Sequence, residues 1–109
     1  MTLPSPENPQ NAPIWDNYVV AQVAQASLGA IPRHALAVGV EIAGKDVTLR
    51  FQLARETPDD DEDIEDIKDA FWVLVGNDVN IGVRTDVMSA PELEVRRGVR
   101  WIYRARLDD

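Results

Sequence analysis

Nine carboxylates crowd the stretch from Glu56 to Asp69: Glu56, Asp59, Asp60, Asp61, Glu62, Asp63, Glu65, Asp66 and Asp69. Acid at that density has three chemical uses. It can chelate a divalent cation, work in pairs as general acid and base, or meet a basic partner. Spacing tests the first. A calcium-binding loop places oxygens at alternate positions, then a glycine, then a closing glutamate. Asp59, Asp61 and Asp63 fit the alternate oxygens, but Ile64 stands at the glycine and Ala70 at the glutamate. No metal site is expected from this run.

The other chemistries are thin. His34 is the only histidine, so a histidine acid–base pair or a multi-histidine metal site has no partner residues. It follows Pro32-Arg33 and is expected at a loop or strand edge. There are no cysteines, which removes disulfides, thiolate metal sites and thiol catalysis. Serine occurs only at 5, 27 and 89, and no glycine-rich phosphate loop or nucleophile elbow is present. Catalysis would have to come from paired carboxylates with a divalent ion. The expectation is a protein that is not an enzyme and needs no cofactor.

Arginine forms a second group. Arg100, Arg104 and Arg106 alternate along the last predicted strand, with Arg50 and Arg84 expected on the same outer face. Arg96 and Arg97 precede them. A nucleic-acid-binding sheet would interleave aromatics with these cations. Here Trp101 and Tyr103 are expected on the opposite, core side, and Glu41 and Asp86 share the arginine face. An ordinary charged sheet face is expected, not a nucleic-acid site.

Net charge then decides where a partner would bind. The chain carries -8 at neutral pH over 109 residues. Glu56 to Asp69 has nine acids and one base, Lys68, and accounts for all of it; the remainder has ten of each sign. An acidic body repels nucleic acid and membrane surfaces and attracts basic partners. Nothing at the N-terminus looks like a signal peptide, and no apolar run is long enough to span a bilayer. A cytoplasmic protein is expected.

These residues need elements to hold them. Prolines at 4, 6, 9 and 13 predict a disordered arm over residues 1–13, followed by one domain over 14–109. The lone Pro6–Pro9 pattern is too common a match to assign a ligand role. Asn11 and Pro13 suit a helix start, and Trp15, Val19, Val23, Ala26 and Ala30 make an apolar stripe ending near Gly29. ALAVGVEIA (35–43) and DVTLRFQLA (46–54) alternate as strands around a Gly44-Lys45 turn, a hairpin with one dry face. Thr57 caps a second helix with Pro58 in its first turn and Asp60 in a capping box. Val79–Val87 and Val99–Leu107 alternate again, with a polar loop between them. The order α-β-β-α-β-β predicts an α+β two-layer sandwich: a four-stranded, mostly antiparallel sheet with both helices on one face.

On the second helix, Ile64, Ile67, Phe71, Leu74 and Val75 fall within one arc and form its core face. Glu62, Glu65, Asp66 and Asp69 lie opposite, with Asp59 and Asp61 on the shoulders. Trp72 and Val73 fall outside the core arc, beside the acids. Like charges at helical spacing repel, costing a few tenths of a kcal/mol per pair. A cost with no folding return suggests a partner that supplies positive charge, with Trp72 and Val73 as apolar anchors. The candidate partner-binding residues are Asp59, Asp61, Glu62, Glu65, Asp66, Asp69, Trp72 and Val73.

The segments AQASLGAI, AVGVEIAGKDVTLRFQL, DDDEDIEDIKDAF and RWIYRARL, in this order and with this acidity, resemble small acidic immunity proteins of bacterial polymorphic-toxin and contact-dependent growth inhibition systems. The resemblance covers roughly residues 14–107. It implies a cytosolic protein that binds one cognate toxin domain, commonly a nuclease, and blocks its active site or substrate groove. Such proteins share no catalytic residues, so the acidic helix rests on charge and not on the resemblance. The expected protein is a monomer or weak dimer that binds a basic protein toxin, and neither nucleic acid nor membrane. The alternative is a homo-oligomeric or regulatory interaction domain without a toxin partner.

Overall fold

Helix α1 (Ala12–Ser27) opens the fold in a computed structural model that describes residues 12–76, 78–95 and 98–106. Residues 1–11 of the Pro-rich arm, with the Asn11 cap, and Arg96, Arg97 and Leu107 lie outside the described residues, whereas Ala12 and Pro13, expected in the arm, already belong to α1. Trp15, Val19, Val23 and Ala26 are buried along one stripe of α1, and Ala30 packs partly against them. Gly29 follows at φ 76°, a left-handed conformation that glycine adopts without a Cβ penalty.

Strands β1 (Ala35–Ala43) and β2 (Asp46–Leu53) form the expected antiparallel hairpin. Helix α2 (Pro58–Val75) then crosses over to β3 (Asn80–Val87), which pairs parallel to β2. A strand–helix–strand crossover of this length delivers a parallel neighbour, whereas a short turn would deliver an antiparallel one. The last strand, β4 (Val99–Arg104), pairs antiparallel to β1, giving the order β3-β2-β1-β4. The sheet is therefore mixed, with two antiparallel junctions and one parallel one.

One core joins both helices to the sheet. Val38, Val40 and Ile42 of β1 and Val47, Leu49, Phe51 and Leu53 of β2 cluster with Val19 and Val23 of α1 and Ile64, Ile67 and Phe71 of α2. Burying a large aliphatic or aromatic side chain contributes about 1.5–3 kcal/mol, so this cluster dominates stability.

The other face of the sheet differs from the alternation pattern. Arg50 and Gln52 are 1% and 2% exposed, although their positions on β2 point away from the helices. The loop segment 88–95 folds back across them. Gln52 Nε2 donates to Glu92 O at 2.6 Å, and Glu92 N–H donates to Gln52 Oε1 at 2.8 Å. Arg50 Nη2 meets Glu94 Oε1 at 2.7 Å and lies 3.7 Å from Asp86 Oδ2. The hairpin is thus covered on both faces, not dry on one alone.

Trp101 belongs to this covered outer face and not to the helix side. In β4 the register against β1 steps from Val38↔Tyr103 to Gly39↔Trp101, a bulge that leaves Ile102 as the extra residue. Tyr103 and Ile102 pack on the core, while the Trp101 ring lies under Arg50 at 5.5 Å and donates through Nε1 to Glu94 O at 3.0 Å. The ring fits because residue 39 is glycine: a Cβ there would sit 2.5 Å from Trp101 Cε3. Strict alternation cannot anticipate a bulge.

Candidate partner-binding site

Helix α2 starts on a complete capping box. Thr57 is extended (φ -119°, ψ 164°), and its Oγ1 accepts from Asp60 N–H at 3.3 Å. Asp60 returns the bond, accepting from Thr57 N–H at 3.0 Å and from Thr57 Oγ1 at 2.7 Å. Asp60 is fully buried and reaches further, to His34 across the fold. It accepts from His34 N–H at 3.2 Å, and its Oδ2 lies 2.7 Å from His34 Nδ1. Burial pushes its carboxyl upward, but the bonds from Thr57 and His34 outweigh that and hold it at about 2, below 3.8. His34 is thus a structural partner of the α2 start and not a plain edge residue. Asp60 is used up in holding the helix.

The remaining acids face outward. Asp59, Asp61, Glu62, Glu65, Asp66 and Asp69 are all exposed on α2. Among the described residues none of those six forms an ion pair within 4.0 Å. Crowding shows at exposed Glu56, whose carboxyl pKa is raised by its hydrogen bond to Asp61, then by the negative charge of Asp61, by a slight loss of hydration, and by the charge of Asp60. Among the described residues no cluster of three or more His, Asp or Glu could hold a metal ion.

Beyond the acids the helix turns apolar without turning inward. Trp72 is 52% exposed and Val73 74%. Leu74, expected in the core, is 39% exposed, while Val75 packs partly against the core. Trp72 also lines an open groove of about 440 Å³ with Lys68 and Asp69 of α2 and Val79, Asn80 and Ile81 at the start of β3.

All eight candidate residues therefore sit at the surface of one helix, from Asp59 to Val73, over about 21 Å of axis. The arrangement offers carboxylates to cations and an indole to an apolar group. It brings no nucleophile and no acid–base pair together there. Arg50, Gln52 and His34 are polar residues whose placement periodicity missed, and all three are structural. No helix among the described residues is long and apolar enough to cross a membrane.

Comparison with known proteins adds one finding. The model of the family described as MafI2 immunity protein matches residues 16–106. No curated protein matches the chain.

Proposed function

The chain belongs to the MafI2 immunity protein family, and from that premise we propose that it neutralises its cognate toxin through the exposed acidic face of α2. The observation that carries this is the pairing of six exposed carboxylates, none with a cationic partner among the described residues, with two exposed apolar side chains, Trp72 and Val73, on one helix. The toxin it fits has a basic groove, as a nuclease has for phosphates. Glu62, Glu65, Asp66 and Asp69 take the place of phosphate charge, and Trp72 and Val73 are the desolvated anchors. Opposite charge steers the encounter and raises the association rate. The protein acts by occlusion and not catalysis, in the cytoplasm, as a monomer or weak dimer.

The test is a growth-protection assay in cells that express the toxin. Replacing Glu62, Glu65, Asp66 and Asp69 by lysine should leave the circular dichroism spectrum intact and abolish protection. Full protection by that variant removes the acidic helix from the site.

A further inference from the structure

Strand β3 is an open edge of the sheet, with β2 its only neighbour among the described residues. It runs from Asn80 to Val87 with no register shift against β2. Its bonding is fixed at both ends. Asn80 N–H donates to Lys45 O at 2.8 Å, and Met88 N–H donates to Leu53 O at 2.9 Å. In a parallel pair each residue bonds to one side only, alternately. Asn80, Gly82, Arg84 and Asp86 therefore bond toward β2. Ile81, Val83, Thr85 and Val87 turn their N–H and C=O groups to the outside.

Those four residues also share the helix-side face, in register with the core residues Val47, Leu49, Phe51 and Leu53. Val83 and Val87 are nevertheless 39% and 58% exposed. Natural sheet edges are blunted by lysine, proline, bulges or short length. The sequence NIGVRTDV has no lysine or proline, and its two charges neutralise each other, with Arg84 Nε 3.2 Å from Asp86 Oδ2. The opposite edge, β4, is shorter and bulged. The groove beside Trp72 opens at the start of this unprotected strand.

We propose that β3 is a docking edge to which the toxin adds an extended strand, main chain to main chain, along Ile81–Val87. Side chains on the strand's helix side are apolar over Val83 and the Trp72 groove, and basic where they approach Asp69. Charge selects this occupant over a second copy. A copy would bring another chain of net -8 against the acidic helix, whereas a basic strand is attracted to it. The basic character of the strand rests on the acidic face of α2 meeting the partner; the edge itself does not.

The probe is the peptide acetyl-Lys-Thr-Val-Thr-Lys-Thr-Val-Thr-amide, titrated into the full-length protein and followed by amide NMR shifts. The expected result is shifts at Ile81, Val83, Thr85 and Val87, and affinity at least about tenfold weaker for Val83→Pro. Proline there removes an outward N–H that the β2 ladder does not use. Should Val83→Pro disturb the fold, Val83→Lys keeps the backbone and places a charge on the edge, with the same loss expected. Undiminished binding in both variants, or no shifts on β3 up to about millimolar peptide, overturns the docking edge and leaves the α2 face standing. Shifts on β3 that survive reversal of Glu62, Glu65, Asp66 and Asp69 to lysine support the edge and remove the role of α2. Concentration-dependent dimers of the wild type that Val83→Pro abolishes overturn the choice of occupant.

Discussion

His34 Nδ1 lies 2.7 Å from Asp60 Oδ2, although the two residues are 26 apart in the chain. A carboxylate held at about 2 is ionised at neutral pH and only accepts, so Nδ1 carries the proton. The contact ties the start of β1 to the first turn of α2. The acidic helix is therefore anchored at one end by a buried group and left free to present the rest of its charge.

That anchor gives stability a defined pH dependence. Asp60 has an ordinary value of 3.8 in the unfolded chain and about 2 in the fold. Its contribution is complete above the unfolded value and is lost as pH falls through the folded one. Urea unfolding should thus show stability declining from about pH 4 toward pH 2. Asp60→Asn should lower stability by about 2–3 kcal/mol at pH 7 and flatten this acid limb. An equal acid slope in wild type and variant would sink the assignment to Asp60.

Arg50 makes the opposite kind of prediction. Its guanidinium is buried, yet Nε and Nη1 have no hydrogen-bond partner among the described residues. Glu94 at 2.7 Å is its main compensation, with Asp86 at 3.7 Å and the Trp101 ring beside it. Removing the acid leaves a buried cation; removing the cation leaves a half-exposed acid that water can reach. Glu94→Ala should therefore destabilise by about 1–3 kcal/mol, and Arg50→Met should be neutral or stabilising by up to about 2 kcal/mol. Denaturation midpoints of the two variants check the ordering, and the reverse order refutes it.

The fold was legible where local pattern decides and illegible where tertiary contact does. Thr57, Pro58 and Asp60 announce the start of α2 because capping needs only neighbours in sequence. Trp72 and Val73 are exposed as helical periodicity places them, because a helix cannot rotate one turn independently of the next. The His34–Asp60 contact has no local signature. Nor does the burial of Arg50 and Gln52, which depends on a loop more than thirty-five residues downstream. Trp101 was displaced by a single extra residue in β4, which flips the alternation beyond it. The parallel pairing of β3 is implicit in the β2–α2–β3 order, since a helical crossover brings a strand back in the same direction.

The acidic face should be destabilising in the free protein. Glu62, Asp66 and Asp69 are exposed at helical spacing with no ion-pair partner within 4.0 Å among the described residues. Asp66→Lys replaces three repulsive contacts, to Glu62, Asp63 and Asp69, by attractive ones, so it should stabilise the fold by about 0.5–1 kcal/mol at low salt. Added salt should raise the wild-type melting temperature and shrink the difference, because exposed charges are screened. A stabilisation that persists at about 1 M salt would point to a cause other than charge repulsion.

Two adjacent aromatics on α2 should separate folding from binding. Phe71 is fully buried in the core, so Phe71→Ala should cost about 3–5 kcal/mol and reduce protection against the toxin only by depleting folded protein. Trp72 is 52% exposed at the groove, and much of its ring is already in contact with water. Trp72→Ala should cost less than about 1.5 kcal/mol in urea unfolding, because there is little cavity to create. If Trp72 anchors the toxin, its truncation should weaken the complex by about 2 kcal/mol or more, roughly thirtyfold in Kd. Calorimetric titration of the toxin into the two folded variants reads both quantities. A Trp72→Ala protein that is as stable and binds as tightly as wild type would leave the exposed indole without a role in recognition.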